Sequence, residues 1–262
     1  MTFLEIVAVL LAGVGAGTIN AVVGSGTLIT FPTLLALGVP PVTANMSNSL
    51  GLVPGSIAGA FGYRRELAGQ RERVLRLLVF STAGGLLGAV LLLVLPPGAF
   101  EAVVPVLILL GISLVILQPR LSRAVADRAQ HREQGAAEHS WWVPAAVFAT
   151  GAYGGYFGAA QGVLLMGVLG IGVAEALQRL NGVKNVLVAV VNGVAGLVFV
   201  VVAELGLLGA EAKVDWLLVL LIAVGSVCGG LLGSAVGRHL PPLALRAVIV
   251  TVGLVAVVVL VS

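Results

Sequence analysis

With one cysteine, Cys228, this chain of 262 residues can form no intramolecular disulfide and no two-thiol relay of its own. Set in "GSVCGG", that cysteine reads as a small packing residue on a helix. Charge is equally scarce. Only 10% of residues are charged and 59% are hydrophobic, against about 25% charged in a soluble domain, so the composition is that of a membrane protein. The three histidines, His131, His139 and His239, fall in expected loops, which leaves no His-based metal or catalytic cluster in the bilayer. None of the eleven acidic residues lies clearly mid-span, and Glu5, Glu175 and Glu204 sit near span ends. That argues against a cation channel with an acidic ring and against a pump with a buried carboxylate relay. The pattern "GxxxxGK[ST]" is missing, so ATP hydrolysis is not expected. With no plausible base, nucleophile or metal set, the chain does not read as an enzyme, and no cofactor is expected.

What is present is a series of apolar blocks, many close to the ~20 residues of a bilayer crossing. "MTFLEIVAVLLAG" carries a Glu where a signal peptide has its basic region, so the first block is expected to stay in the mature protein. Five blocks (4–23, 27–38, 41–62, 74–95, 99–118) precede a charged segment, and five follow it (141–160, 163–173, 179–203, 214–236, 241–261). The division is thus 1–118, a cytoplasmic loop 119–139, and 140–262. Blocks 27–38 and 163–173 are too short to cross and read as arms of re-entrant, broken helices.

Net charge is +3, and eleven of the fourteen Lys and Arg lie in 64–76, 120–132 and 238–246. Beside apolar spans these clusters mark the cytoplasmic side rather than a nucleic-acid partner. The acidic stretch 204–215 and Glu101 then lie outside, as do both termini. Corresponding loops in the two halves have opposite charge, the pattern of inverted repeats found in many secondary transporters. The expected fold is an all-α polytopic membrane protein of two inverted repeats. Each has one broken hairpin and about three spanning helices.

The polar residues repeat too. Sliding the halves by 136 residues sets Asn45 on Asn181, Asn48 on Lys184, Ser49 on Asn185 and Ser56 on Asn192, with Ser25 on Gln161 and Gly26 on Gly162. On each helix the four positions share a face within about 100°. A polar face in a membrane helix looks at protein or water. Interhelical hydrogen bonding explains such residues singly, and Lys184 has the alternative of snorkelling to the surface beside Arg179. The functional reading is an anion pathway. "VVGSGTL" and "AAQGVLL" break two helices, exposing N–H groups at the positive ends of the returning arms. Facing each other, the two ends make a concave donor site, extended by Asn, Ser and Gln side chains, with Lys184 as its one formal positive charge. The small-residue spacings of "GAGTINAVVGSG" read as close helix packing.

The stretch from "GAGTINAVVGSGTLITFPTLLALGVPPVTANMSNS" to "FGYRREL" resembles the first repeat of the TauE/SafE (toluene sulfonate uptake) family. "GAYGGYFGAAQGVLLMGVLGIGVAEALQRLNGVKNVLVAVVN" is similar to its second repeat. "TANMSNS" departs from the Thr-Ser pair of many members, and Gln161 stands in a break that is often richer in glycine. The resemblance implies a bacterial inner-membrane transporter of sulfur-containing anions such as sulfite, thiosulfate or organosulfonates. It places Gly24, Ser25, Gly26, Gln161 and Gly162 at the family's breaks, and Asn45, Asn48, Asn181, Lys184 and Asn185 at the helix starts beyond them. The expected partners are a small anion and the lipid bilayer, with a coupling ion as a candidate second solute. Oligomeric state leaves no trace in the sequence. An anion channel of the same architecture and a non-transporting scaffold are the competing readings.

Overall fold

A computed structural model describes residues 1–131, 140–206, 213–236, 247, 249–255 and 257. Among the described residues there are nine helices and no strand: α1 (Phe3–Val22), α2 (Thr27–Ala36), α3 (Pro41–Gly62), α4 (Arg71–Val94), α5 (Pro97–His131), α6 (Val143–Tyr156), α7 (Gln161–Gly172), α8 (Leu177–Glu204) and α9 (Trp216–Val236). Residues 249–255 are helical as well, but most of the expected block 241–261 and the basic cluster at 238–246 lie outside the described residues, as do His139 and His239.

Local chemistry sets the ends. Thr2 and Glu5 form a reciprocal capping box before α1, with the Thr2 N–H donating to Glu5 Oε2 at 2.8 Å. Pro41 opens α3, where a missing N–H costs nothing. Asp215 Oδ1 accepts from the Leu217 and Leu218 N–H groups and caps α9. Among the described residues five helices are long and apolar enough to cross a bilayer: α1, α4, α5 over Gly98–Leu121, α8 and α9. Their outward faces carry Leu87, Leu91, Val106, Leu220 and Leu231, the surface a lipid solvent requires. Helix α3 has the length but buries a polar stripe that runs from Asn45 to Ser56. Helices α2 and α7, of 10 and 12 residues, reach only ~15 and ~18 Å. They are the expected short arms.

Close helix packing runs through glycines spaced four apart. Gly13 and Gly17 of α1 lie on the α9 backbone at Ile222, Gly225 and Ser226, while Gly229 and Gly233 of α9 lie on Val14 and Thr18 of α1. Gly84 and Gly88 of α4 lie on Phe148 and Ala152 of α6, while Gly151 and Gly155 of α6 lie on Ser81 and Gly85 of α4. At Gly17 a Cβ would overlap the Ser226 carbonyl, and at Gly88 the Ala152 carbonyl. Without a hydrophobic force between helices in lipid, this backbone approach supplies the contact. The pairing interleaves the chain: α1 packs on α9, and α6 packs on α4. Along each of these pairs the residue numbers rise together, so the partners run parallel. Helices α3 and α8 cross antiparallel instead, Leu50 lying against Gly196 and Tyr63 against Gly182.

Three local expectations change. Residues 119–131, expected as polar loop, continue α5, and His131 is its last residue. Cys228 lies on the exposed face of α9 rather than in a helix contact. The constant slide of 136 fits α3 and α8, which start at Pro41 and Leu177, but not the breaks. There the left-handed residues that end α1 and α6 are Gly24 and Gly158, and the returning arms start at Thr27 and Gln161. The pairs at the break are therefore 134 apart. The counterpart of Gln161 is Thr27, because α7 is two residues longer than α2.

Candidate functional site

The two breaks meet. The Gly162 N–H donates to Gly24 O at 3.0 Å, and a Cβ on Gly162 would come 2.5 Å from Gly24 Cα. Both positions need glycine, since no side chain fits between the two backbones and Gly24 also takes φ +87°. The arms thus touch instead of facing each other across an open space. The N-terminus of α7 is also bonded, Gln161 N to Gly158 O, Val163 N to Ala160 O and Leu164 N to Ala160 O. Gly26 precedes α2 and packs against α1, where a Cβ would overlap the Ala16 carbonyl.

Two side chains beside this contact are left over. Ser25 is 0% exposed and its Oγ has no hydrogen-bond partner among the described residues; Gln161 is 1% exposed and the same holds for both its Oε1 and its Nε2. The Gln161 amide packs against Gly154, where only a missing side chain leaves it room. A buried amide without a partner costs about 1–3 kcal/mol. Such orphaned groups at a helix break are what a polar solute would satisfy.

The polar stripe of α8 closes on the end of α1. Lys184, 0% exposed, donates from Nζ to Asn20 O at 3.1 Å and Ala21 O at 3.2 Å. Asn181 Nδ2 and Asn185 Nδ2 donate to the same Ala21 carbonyl at 3.3 and 3.2 Å. A helix C-terminus presents unpaired carbonyls and the negative end of its dipole, so an ammonium is held there without a carboxylate. The lysine does not snorkel. It is built into the middle of the protein.

The matching stripe of α3 spreads over two neighbours. Asn45 Nδ2 donates to Tyr156 O, at the end of α6, at 2.9 Å. Asn48 turns to α2, donating to Thr27 Oγ1 at 3.3 Å and accepting from the Thr30 hydroxyl. Ser49 is buried on the same helix. Each half's stripe thus bonds the other half's broken helix: α8 to α1, and α3 to α6. The structure gathers Asn181, Lys184 and Asn185 at one helix end and Asn45 at the other. Asn48 stands with α2, and Ser25, Gly26, Gln161 and Gly162 lie at the breaks.

Sequence reasoning missed Asn20, Thr27 and Thr30. Asn20 also donates to Ser56 Oγ at 2.9 Å, joining α1 to α3. Its signal was a lone asparagine in the apolar run before "GSG". Also missed was an ion-pair cluster joining the starts of α4 and α8 to the α7–α8 connection. Arg73 and Arg179 both pair with Glu175, at 3.0 and 2.8 Å, while Arg179 Nη2 donates to Ala68 O at 3.2 Å. At the α6 break itself, Phe157 packs edge to face with Phe31 and Phe100, which also pack on each other, with centroids 5.1–6.4 Å apart.

The family model described as "Sulfite exporter TauE/SafE" matches residues 9–260. The "Probable membrane transporter protein YfcA" of Escherichia coli K12 is 26% identical over 230 residues, covering 84% of this chain and 76% of that protein. The "Probable membrane transporter protein YdhB" of Bacillus subtilis is 27% identical over 246 residues, 92% of this chain and 90% of that protein. A shorter stretch of 94 residues is 32% identical to the "Probable membrane transporter protein ORF9" of Sinorhizobium sp, and spans 36% of each chain. No solved structure matches the chain significantly. A match across nearly the whole length, on a fold whose described residues are all-helical with five apolar spans among them, makes this chain a member of the TauE/SafE family: a multi-pass membrane transporter, not an enzyme, that takes a small-molecule substrate.

Proposed function

We propose that the chain is a secondary carrier of a small anion, a sulfur oxyanion or organosulfonate, working by alternating access across the bacterial inner membrane. The observation that carries this reading is the pair of buried side chains, Ser25 and Gln161, left without partners where two helix breaks touch. A hydroxyl and an amide N–H donate to anion oxygens, and Lys184, seated on the α1 end a few residues from Ser25, supplies positive charge in a low-dielectric surrounding. The substrate class follows from the family, which is that of the sulfite exporter TauE/SafE. The contact of Gly24 with Gly162 and the burial of Ser25 and Gln161 favour a carrier over a continuously open anion channel.

In this reading residues 1–118 and 140–262 are two inverted repeats, with the charged segment 119–139 on the cytoplasmic side and both termini outside. The antiparallel crossing of α3 on α8, and the reciprocal bonds of each polar stripe to the other half's broken helix, support it. The ion pairs of Glu175, beyond the end of α7, and the phenylalanine cluster at the α6 break are the closures that alternate. Ser25, Gly26, Gln161 and Gly162 contact the anion, and Asn181, Lys184 and Asn185 position the α1 end. Asn45, Asn48 and Ser49 line the other flank.

The test is flux of labelled sulfite, thiosulfate and a sulfonate into proteoliposomes, with wild type beside Gln161→Leu and Lys184→Met. Saturable uptake by the wild type that both variants lose is the expected result. Equal flux in all three would return these residues to helix packing and favour a scaffold role. Flux that never saturates would favour a channel.

A further inference from the structure

Helices α1 and α6 end alike. In each, two successive N–H groups turn back to one carbonyl: Val23 and Gly24 to Ile19 O, Phe157 and Gly158 to Tyr153 O. The next carbonyls are left without a helical donor at the negative end of a dipole. At α1 that place is filled by the Lys184 ammonium. At α6 the residue matching Lys184 on the facing helix is Asn48, which is neutral and turned to Thr27 and Thr30. One helix end is supplied with a tethered cation, and its counterpart is not.

Beside Gly158, at the α6 end, the nearest atoms are oxygens. Gly158 takes φ +78°, and the point where its Cβ would stand has three nearest neighbours: Gly154 O at 3.2 Å, Thr27 Oγ1 at 3.8 Å and Asn192 Oδ1 at 3.9 Å. Asn45 is fully buried; its Nδ2 is spent on Tyr156 O, and its Oδ1 has no donor among the described residues. A main-chain carbonyl, a hydroxyl and side-chain amide oxygens at the end of a broken helix form the donor set that transporters offer to sodium. No carboxylate is among them, which suits a monovalent rather than a divalent ion.

The geometry points to an alkali-cation site, sodium in the first instance, at the C-terminal end of α6, among Gly154 O, Thr27 Oγ1 and Asn192 Oδ1, with Asn45, bonded to Tyr156 O two residues before Gly158 and unsatisfied at its Oδ1, as the adjoining side chain. Lys184 is its covalent equivalent at α1. Thr27 opens the returning arm beside the break, so an ion there neutralises an anion held at Ser25 and Gln161 and couples the two. That coupling rests on the carrier reading above; the binding of the ion does not.

The experiment is equilibrium binding of radiolabelled sodium to the purified full-length protein in detergent, without any anion substrate. Wild type is expected to bind sodium that unlabelled sodium or potassium displaces and choline does not. Asn48→Lys, whose ammonium reaches the α6 end as Lys184 reaches α1, abolishes binding. Asn45→Asp brings a carboxylate to the ion and tightens binding ~10-fold, about 1.4 kcal/mol; misfolding cannot produce that gain. No binding by the wild type above the choline background, or binding that neither variant alters, overturns the site. Sodium binding without sulfur-anion flux would remove the carrier reading and leave the site. Flux that proceeds equally in choline, with no sodium bound, would do the reverse.

Discussion

Gly24→Ala separates the contact of the two breaks from the general cost of a left-handed residue. At φ +87° an alanine costs about 1–2 kcal/mol from backbone sterics alone. Its Cβ also falls 2.8 Å from the Gly162 carbonyl carbon, inside van der Waals contact with backbone that cannot rotate away. Overpacking of that kind costs about 1–3 kcal/mol, and losing the bond from Gly162 N–H to Gly24 O adds about 0.5–1.5 kcal/mol. The total is ~2.5–6.5 kcal/mol, or ~8–20 °C in Tm at roughly 3 °C per kcal/mol. Gly38→Ala is the control. Gly38 has φ +78° but no atom within 4 Å of its missing Cβ, so only the steric cost applies, ~3–6 °C. The assay is thermal unfolding of both variants in detergent by tryptophan fluorescence, followed by initial rates of anion uptake. Gly24→Ala should be the less stable and lose uptake, and Gly38→Ala should keep it. A Gly24→Ala variant no less stable than Gly38→Ala would mean that the breaks do not touch.

Gln161→Leu removes an amide that has no partner, so it should raise stability by about 1–3 kcal/mol while abolishing uptake, checked by Tm and flux on one preparation. Lys184→Met keeps the buried stem but not the charge on Asn20 O and Ala21 O; uptake should fall at least ~10-fold with the fold retained, read by flux beside a monodispersity profile. Gly88→Ala forces α4 away from Ala152 of α6 and should cost about 1–3 kcal/mol in unfolding experiments, against little for the same change at exposed Gly98. Glu175→Gln breaks two ion pairs whose carboxylate is 21% exposed, so stability should move by no more than about 1 kcal/mol. The ratio of uptake from the two sides of the membrane is the quantity expected to change.

Much of the fold was legible because lipid punishes misplaced polarity. The breaks at "GSG" and "AAQG", the two short arms and the buried stripes of α3 and α8 all follow from apolar length and from polar residues on one helical face. The exact pairing at the breaks was not legible. A slide of 136 residues aligns Asn45 with Asn181, yet α7 has 12 residues where α2 has 10, so Ser25 and Gln161 are not structural mates. An extra half-turn in a short arm leaves no compositional trace. The destination of Lys184 was hidden for a related reason: its acceptors are main-chain carbonyls, which every residue carries, so no side-chain motif announces them. The pairing of Arg73 with Glu175 joins the first turn of α4 to the α7–α8 connection and needed the tertiary fold to bring them together.

The interleaved packing of α1 on α9 has a consequence for how the chain is made. The glycine face of α1 is complete in the membrane about two hundred residues before the face it meets. At ~5–20 residues per second, that is a wait of roughly ten to forty seconds. Through that interval the ridge from Gly13 to Gly17 has only lipid against it. The bundle therefore closes late: a chain stopped before Trp216 can pair α4 with α6 and α3 with α8, but it leaves the glycine face of α1 bare and should be open to membrane quality control.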